Sequence, residues 1–450
     1  MSQIKMLLNS LLHLLLHIIP ILYQANAFSM KIIPIDSPHL QILPKSFTVK
    51  ERHHFLRNIS LSRAFYAHKQ NAKLGINSIS SPLSNIQTSY FVTKLTFGTR
   101  KPAFSPVLVL DISADQTWIQ CADCNPCFKL NATFPVEESS SYMRLDPSDT
   151  RCSPTIVYNG TCGFDSTFGS GHAQGYMGTD TFIFNETSGY FPNIAFGCGT
   201  NNDGFGFGSD PANIIAGVHG LGTGPRSMMT QLDIDTKGRF TYCIPSGNNV
   251  STILFGDEAI ISGDTARKLQ TIGMNPKARY HLYLDGITVQ ETRLDIDPTL
   301  FELDDQKFSK GFFIDPSATF TVLTYSAYIK LKGALLSYFA KYTWDPLPSN
   351  TTIFDLCYPY VPDPSRGQAY PSVTFNFIKS PYKGAGIVKL LFDSKNIFGN
   401  FAISKGFCLQ MLPTADLKDG PSILGAFQQK NLQFLFDINN RLLSFVPKKC

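Results

Sequence analysis

The chain is short of charge, histidine and tryptophan, and each shortage closes off a class of function. Charged residues make up 16% of the 450 against 43% hydrophobic, which excludes a disordered or nucleic-acid-coating chain. Of nine His, six precede residue 87, leaving only His172, His219 and His281. So few imidazoles argue against a Ser-His-Asp triad or a His-rich metal site. The Gly-rich stretches "GFGFGSD" and "GLGTGPRS" lack the Lys-Ser/Thr or GxGxxG context of a phosphate cradle and read as loops. Past the first 27 residues no run approaches the ~20 apolar residues that span a bilayer. No basic stripe interleaved with aromatics invites nucleic acid. With 33 Gly and 28 Pro, turns are favoured over long helices.

What is present begins with a leader. Residues 1–27 carry one Lys, an apolar run "LLHLLLHIIPILY" and Ala25-Asn26-Ala27, the pattern of a secretory signal with cleavage after Ala27. Sequons at Asn58, Asn131, Asn159, Asn185, Asn249 and Asn350 fit an exported chain, secreted or delivered to a vacuole. Ten Cys, all beyond the leader, read as a disulfide framework whose pairing the sequence leaves open. The cluster Cys121-x2-Cys124-x2-Cys127 has no second CxxC or His pair to complete a zinc site, so neither metal nor cofactor is expected.

The formal charge of +5 is unevenly placed. Residues 1–86 hold 9 Lys+Arg against 2 acids, and the remainder holds 30 against 32. Segment 28–86 is basic, weakly helical, and dissolves into "INSISSPLSN". Two readings stand: a floppy arm, or a propeptide whose cations pair with acids in a cleft until low pH breaks the pairing. On either reading it is expected outside the core.

Beyond residue 87, short apolar runs separated by Gly, Pro, Asn and Asp indicate a strand-rich chain, with one clear helix in "YSAYIKLKGALLSYFAKY". The chain is also duplicated. "VLVLDISADQTW" and "GFFIDPSATFTVL" each run an apolar strand into Asp-x-Ser-Ala, placing Asp111 and Asp315 204 residues apart. "VHGLG" and "ILGAF" follow, with Gly220 and Gly425 205 residues apart. Two lobes, residues 87–275 and 276–450, joined near Thr271–Tyr280, would each bring one carboxylate to a shared site. Two such carboxylates in contact share a proton, so one can deprotonate water while the other protonates a carbonyl oxygen.

These segments, together with "IDSP", "YMGTDTFIF", "IAFGCG", "YCIPSGNNVSTILFGD" and the closing "SILGAFQQKNLQFLFDINNRLLSFVPKKC", resemble the pepsin-like aspartic peptidases. The branch is the plant nepenthesin-like one, which also holds non-catalytic xylanase-inhibitor proteins. The resemblance implies an all-β, bilobal fold of two similar β-barrels with a cleft between them. It implies Asp111 and Asp315 as catalytic, a flap within Cys162–Tyr176, and Trp118 supporting a flap tyrosine. A monomer acting on peptide or protein substrates is expected; the alternative is a non-catalytic module binding a partner enzyme.

The loops depart from the family pattern. Asp-Thr-Gly-Ser and Asp-Ser/Thr-Gly-Thr/Ser are replaced by Asp111-Ile112-Ser113-Ala114 and Asp315-Pro316-Ser317-Ala318. Ile112 and Pro316 have no hydroxyl to bond the opposite loop, so the crossed pair is expected to be lost on both sides. Ala114 and Ala318 cannot donate to the carboxylates, which are then harder to ionise. Ser113 and Ser317 add β-carbons near the dyad, and their hydroxyls are not expected to replace the lost donors. Phe168 stands at the flap tyrosine position in a hairpin one residue short. His172 is read as a solvated loop residue and His219 as a packing residue.

Overall fold

The computed structural model describes residues 27–450 apart from 41, 70–89, 100–102, 154–155, 169–170, 185–188, 206–212, 277–278, 305–309, 349–352, 360–369, 380–385, 402–405 and 415–419. The expected leader and sequons Asn185 and Asn350 lie outside the described residues.

The first described residues form a strand, and this strand and the helix after it pack into the core, which corrects the expectation that segment 28–86 lies outside it. In β1 (Ala27–Pro34), Phe28, Met30 and Ile32 are buried while Lys31 is exposed, the period-two pattern of a half-buried strand. β1 runs antiparallel both to β2 (Phe91–Lys94) and to residues Ser251–Gly256. Phe28 stacks on Phe255 at 4.6 Å.

α1 (Val49–Lys69) follows. Its start is a capping box: Thr48 Oγ1 accepts from Glu51 N–H at 3.2 Å, and Glu51 Oε2 accepts from Thr48 N–H at 2.7 Å. Leu56, Ile59, Ser60, Arg63, Ala64 and Ala67 form one buried stripe at helical spacing. Leu56, Ile59, Ala64 and Ala67 join the hydrophobic core, while the two polar members, Ser60 and Arg63, bond the loops that carry the aspartates.

The duplication is visible strand by strand. In the first lobe β3 (Val107–Asp111) lies parallel to β5 (Ile215–Gly220), which lies antiparallel to β4 (Trp118–Gln120). In the second, β6 (Phe312–Ile314) lies parallel to β8 (Ser422–Leu424), which lies antiparallel to β7 (Thr321–Leu323). Each carboxylate thus leaves a buried strand onto a loop that returns to the same sheet. The helix read from sequence is α2 (Tyr325–Ala340), burying Ala327, Tyr328, Leu331, Leu335 and Phe339. Disulfides join Cys121–Cys198, Cys124–Cys127, Cys152–Cys162, Cys243–Cys450 and Cys357–Cys408, so all ten Cys are paired. The first cluster is therefore a disulfide pair and a cross-link, not a zinc knuckle.

Candidate active site

The two Asp-x-Ser-Ala loops fold alike. Ser113 N–H donates to Asp111 Oδ1 at 2.8 Å, and Ser317 N–H donates to Asp315 Oδ1 at 2.9 Å. Gly222 N–H bonds Ala114 O, and Ala426 N–H bonds Ala318 O, each at 2.8 Å. Thr117 Oγ1 accepts from Gly220 N–H and Thr321 Oγ1 from Gly425 N–H, at 3.2 and 3.1 Å. The repeated glycines are there for close approach: a Cβ on Gly220 would sit 2.7 Å from the Ala114 and Gln116 carbonyl oxygens. One on Gly425 would sit 2.3 Å from the Phe320 carbonyl carbon.

The carboxylates converge on a single cation that the sequence did not single out. Arg63, from α1, places Nη2 2.7 Å from Asp111 Oδ1 and Nη1 3.3 Å from Asp111 Oδ2, while Nε lies 2.6 Å from Asp315 Oδ2. All three residues are buried, Asp111 at 1% exposure, Asp315 at 6% and Arg63 at 7%. Burial alone would weaken the Arg63 charge, but the Asp111 and Asp315 carboxylates outweigh it and raise the Arg63 pKa. Burial alone would raise Asp111; the Arg63 charge and hydrogen bonds from Arg63 and Ser113 outweigh it and hold Asp111 below the usual carboxylate range. Three planar N–H groups across two carboxylates is a geometry a lysine ammonium cannot reproduce. The helix is docked at a second point, where Phe320 N–H donates to Ser60 Oγ at 2.9 Å.

The expectation about the loop serine hydroxyls needs correction. Ser113 Oγ donates to Asp111 Oδ1 at 2.8 Å, so one lost donor is replaced from the neighbouring position. Ser317 Oγ donates across the lobes to Leu110 O at 3.2 Å, so its hydroxyl also takes a bonding role, a different bond from the crossed hydroxyl-to-N–H pair that Ile112 and Pro316 cannot make. The loops match in backbone and differ in where their serines point. Ile112, Pro316 and Ala318 are buried around the carboxylates and Ala114 is half-buried.

The hairpin formed by Thr161–Phe168 and Gly171–Ile183 pairs Phe168 with Gly171 at its tip. The Phe168 side chain lies outside the described residues. Trp118 is buried against Phe164, Phe128 and Phe205, and its Nε1 has no hydrogen-bond partner among the described residues. His172 lies on the exposed flap 3.0 Å from Asp165 Oδ1. His219 is wholly buried beside Asp111's strand, its Nδ1 3.0 Å from Thr117 Oγ1, and burial pushes its pKa down to about 3. No group of His, Cys, Asp and Glu suited to a metal occurs among the described residues.

Residues 91–257 match the family described as xylanase inhibitor N-terminal, and 279–447 the one described as xylanase inhibitor C-terminal. Aspartic proteinase nepenthesin-1 of Nepenthes gracilis is 32% identical over 82% of this chain and 81% of its own length. Nepenthesin-2 of the same plant is 32% identical over 83% and 82%. Among solved structures, edgp aligns over 81% of this chain and 92% of its own with a TM-score of 0.59 at 17% identity. Basic 7S globulin from soybean aligns over 81% and 94% with a TM-score of 0.58 at 19% identity.

Proposed function

The chain belongs to the pepsin-like aspartic proteases, in the branch shared by nepenthesins and xylanase-inhibitor proteins, and from that premise we propose that it is a latent aspartic endopeptidase, exported and acid-activated. One observation carries the reading: a single buried guanidinium bridges Asp111 and Asp315. A purely structural pair of buried acids would stay protonated and need no cation between them. With Asp111 held ionised by a removable group that also bonds Asp315, the site is kept ready. Residues 28–86 then act as a propeptide, with Arg63 occupying the place of water and scissile carbonyl.

Once Arg63 leaves, the dyad holds one shared charge. One carboxylate takes a proton from water as its oxygen bonds to the peptide carbon, and the other protonates the carbonyl oxygen. Collapse of the tetrahedral adduct breaks the C–N bond, and the amine leaves with the proton. The flap supplies a lid without the phenol that would bond Trp118, so substrate ordering rests on apolar contact.

A second reading has its own support. With Ile112, Ala114, Pro316 and Ala318 at hydroxyl positions, the site has fewer donors than an efficient dyad needs, which favours a protein-binding module without turnover. An assay separates the two: acid-treated chain on an unstructured protein from about pH 2 to about pH 6, with pepstatin and Asp111→Asn as controls. Cleavage abolished by both controls supports the peptidase. Silence at every pH, relieved by restoring Asp-Thr-Gly-Ser and Asp-Ser-Gly-Thr, supports the binding module.

A further inference from the structure

The serines at the third position of each loop make different bonds, and the difference has chemical content. Ser113 Oγ accepts from Arg63 Nη2 at 3.0 Å, so its single hydrogen is committed to Asp111 Oδ1. Together with its own N–H, Ser113 gives that one oxygen two donors. When Arg63 departs, these two remain. The other charged or titratable groups around the loop do not replace them. Asp315 shares Arg63 with Asp111 and is itself an acceptor; Asp115 pairs with Arg226 at 3.8 Å; His219 turns to Thr117; Tyr242 bonds Gln429 and Tyr280 bonds Leu221 O. Ser317 is fully buried and its hydroxyl crosses to Leu110 O, on the residue that precedes Asp111. It joins the second-lobe loop to the strand that delivers the first-lobe carboxylate.

We propose that Ser113 and Ser317 are positioning residues with divided tasks: Ser113 orients and supports the charge on Asp111, and Ser317 fixes the lobe-to-lobe register of the dyad. The proposal rests on the aspartic-peptidase reading of the site. Its physical basis is that donors aimed at a developing or resident charge in a buried site act strongly and cost no reorganisation. A carboxylate pair also loses rate steeply with sub-ångström displacement.

The test uses the full chain carrying Arg63→Gln, so that the bond from Arg63 to Ser113 plays no part. The first readout is the titration of the Asp111 carboxyl carbon by 13C NMR, assigned by its loss in Asp111→Asn. Ser113→Ala is expected to move the midpoint up by about 1–2 pH units, the worth of one hydrogen bond to a charge. Ser113→Thr keeps the hydroxyl and restores it, and Ser317→Ala leaves it in place. The second readout is kcat and KM against pH. Ser113→Ala moves the acid limb of kcat/KM with the titration. Ser317→Ala lowers kcat about tenfold at unchanged KM and unchanged acid limb. Ser317→Gly serves as the second variant if Ala at this closed position disturbs folding, which thermal melting reports. An unmoved titration in Ser113→Ala, or an equal shift in Ser317→Ala, overturns the division. Absence of cleavage at every pH defeats the peptidase reading alone, because the carboxyl titration still separates the two serines without any turnover.

Discussion

Arg63 grips Asp111 with two nitrogens on two oxygens, Nη2 to Oδ1 at 2.7 Å and Nη1 to Oδ2 at 3.3 Å. This fork-to-fork contact, buried under a helix, is stronger and more directional than a point-charge pair. The pH response of the docked helix follows from it.

Asp111 lies below its ordinary pKa while α1 is docked. A carboxylate with a depressed pKa contributes stability that is present above its ordinary value, ~3.9, and is lost as pH falls through the depressed one. Release of α1 is therefore expected below about pH 4. Hydrogen exchange of residues 49–69 across the acid range measures it. Arg63→Gln should remove the pH step and weaken docking by about 3–5 kcal/mol, the usual cost of breaking a buried pair.

Asp36 gives the opposite sign. Burial raises its pKa despite the nearby charge of Arg52, so its contribution is present at low pH and lost as pH rises through the raised value. Asp36→Asn should leave the acid midpoint for α1 release where it is, in the same exchange experiment. Loss of the pH step in Asp36→Asn, as in Arg63→Gln, would place the acid trigger at Asp36.

His219 should dominate the acid sensitivity of the first lobe itself. It is held neutral with a pKa near 3, while an unfolded His takes its proton near 6.5. Stability from this group is full above about pH 6.5 and is lost progressively as pH falls toward 3, by a few kcal/mol in all. His219→Gln removes the titration, and its Tm should fall less between about pH 6 and about pH 4 than that of the parent chain.

Gly425→Ala should cost about 1–3 kcal/mol or more, because the clash is with backbone that no rotamer change relieves. Denaturant unfolding measures it, and Gly333→Ala on α2, whose added carbon meets nothing within 4 Å, is the control.

The parts of this structure written as repetition were legible in the sequence. The matched offsets of Asp111/Asp315 and Gly220/Gly425 located both loops and the strands that return to them, because close backbone packing admits only glycine there. The role of Arg63 was not legible. Segment 28–86 offers several cations, and choosing among them requires knowing which face of α1 meets the loops. That face carries Ser60 and Arg63 amid its apolar residues, which blurs the periodicity. The capping box Thr48-x-x-Glu51 was the available signal for the helix, and the alternation in "FSMKIIPI" was the signal for β1. The direction of the Ser113 and Ser317 hydroxyls depends on loop backbone torsions and carries no sequence signature.

The most direct test is peptide hydrolysis at about pH 4, before and after brief exposure to lower pH, by the parent chain, Arg63→Gln and Asp111→Asn. The account requires the parent to be silent until acid exposure, Arg63→Gln to cleave without it, and Asp111→Asn to be silent throughout. A parent and an Arg63→Gln chain with the same activity before acid exposure would contradict it.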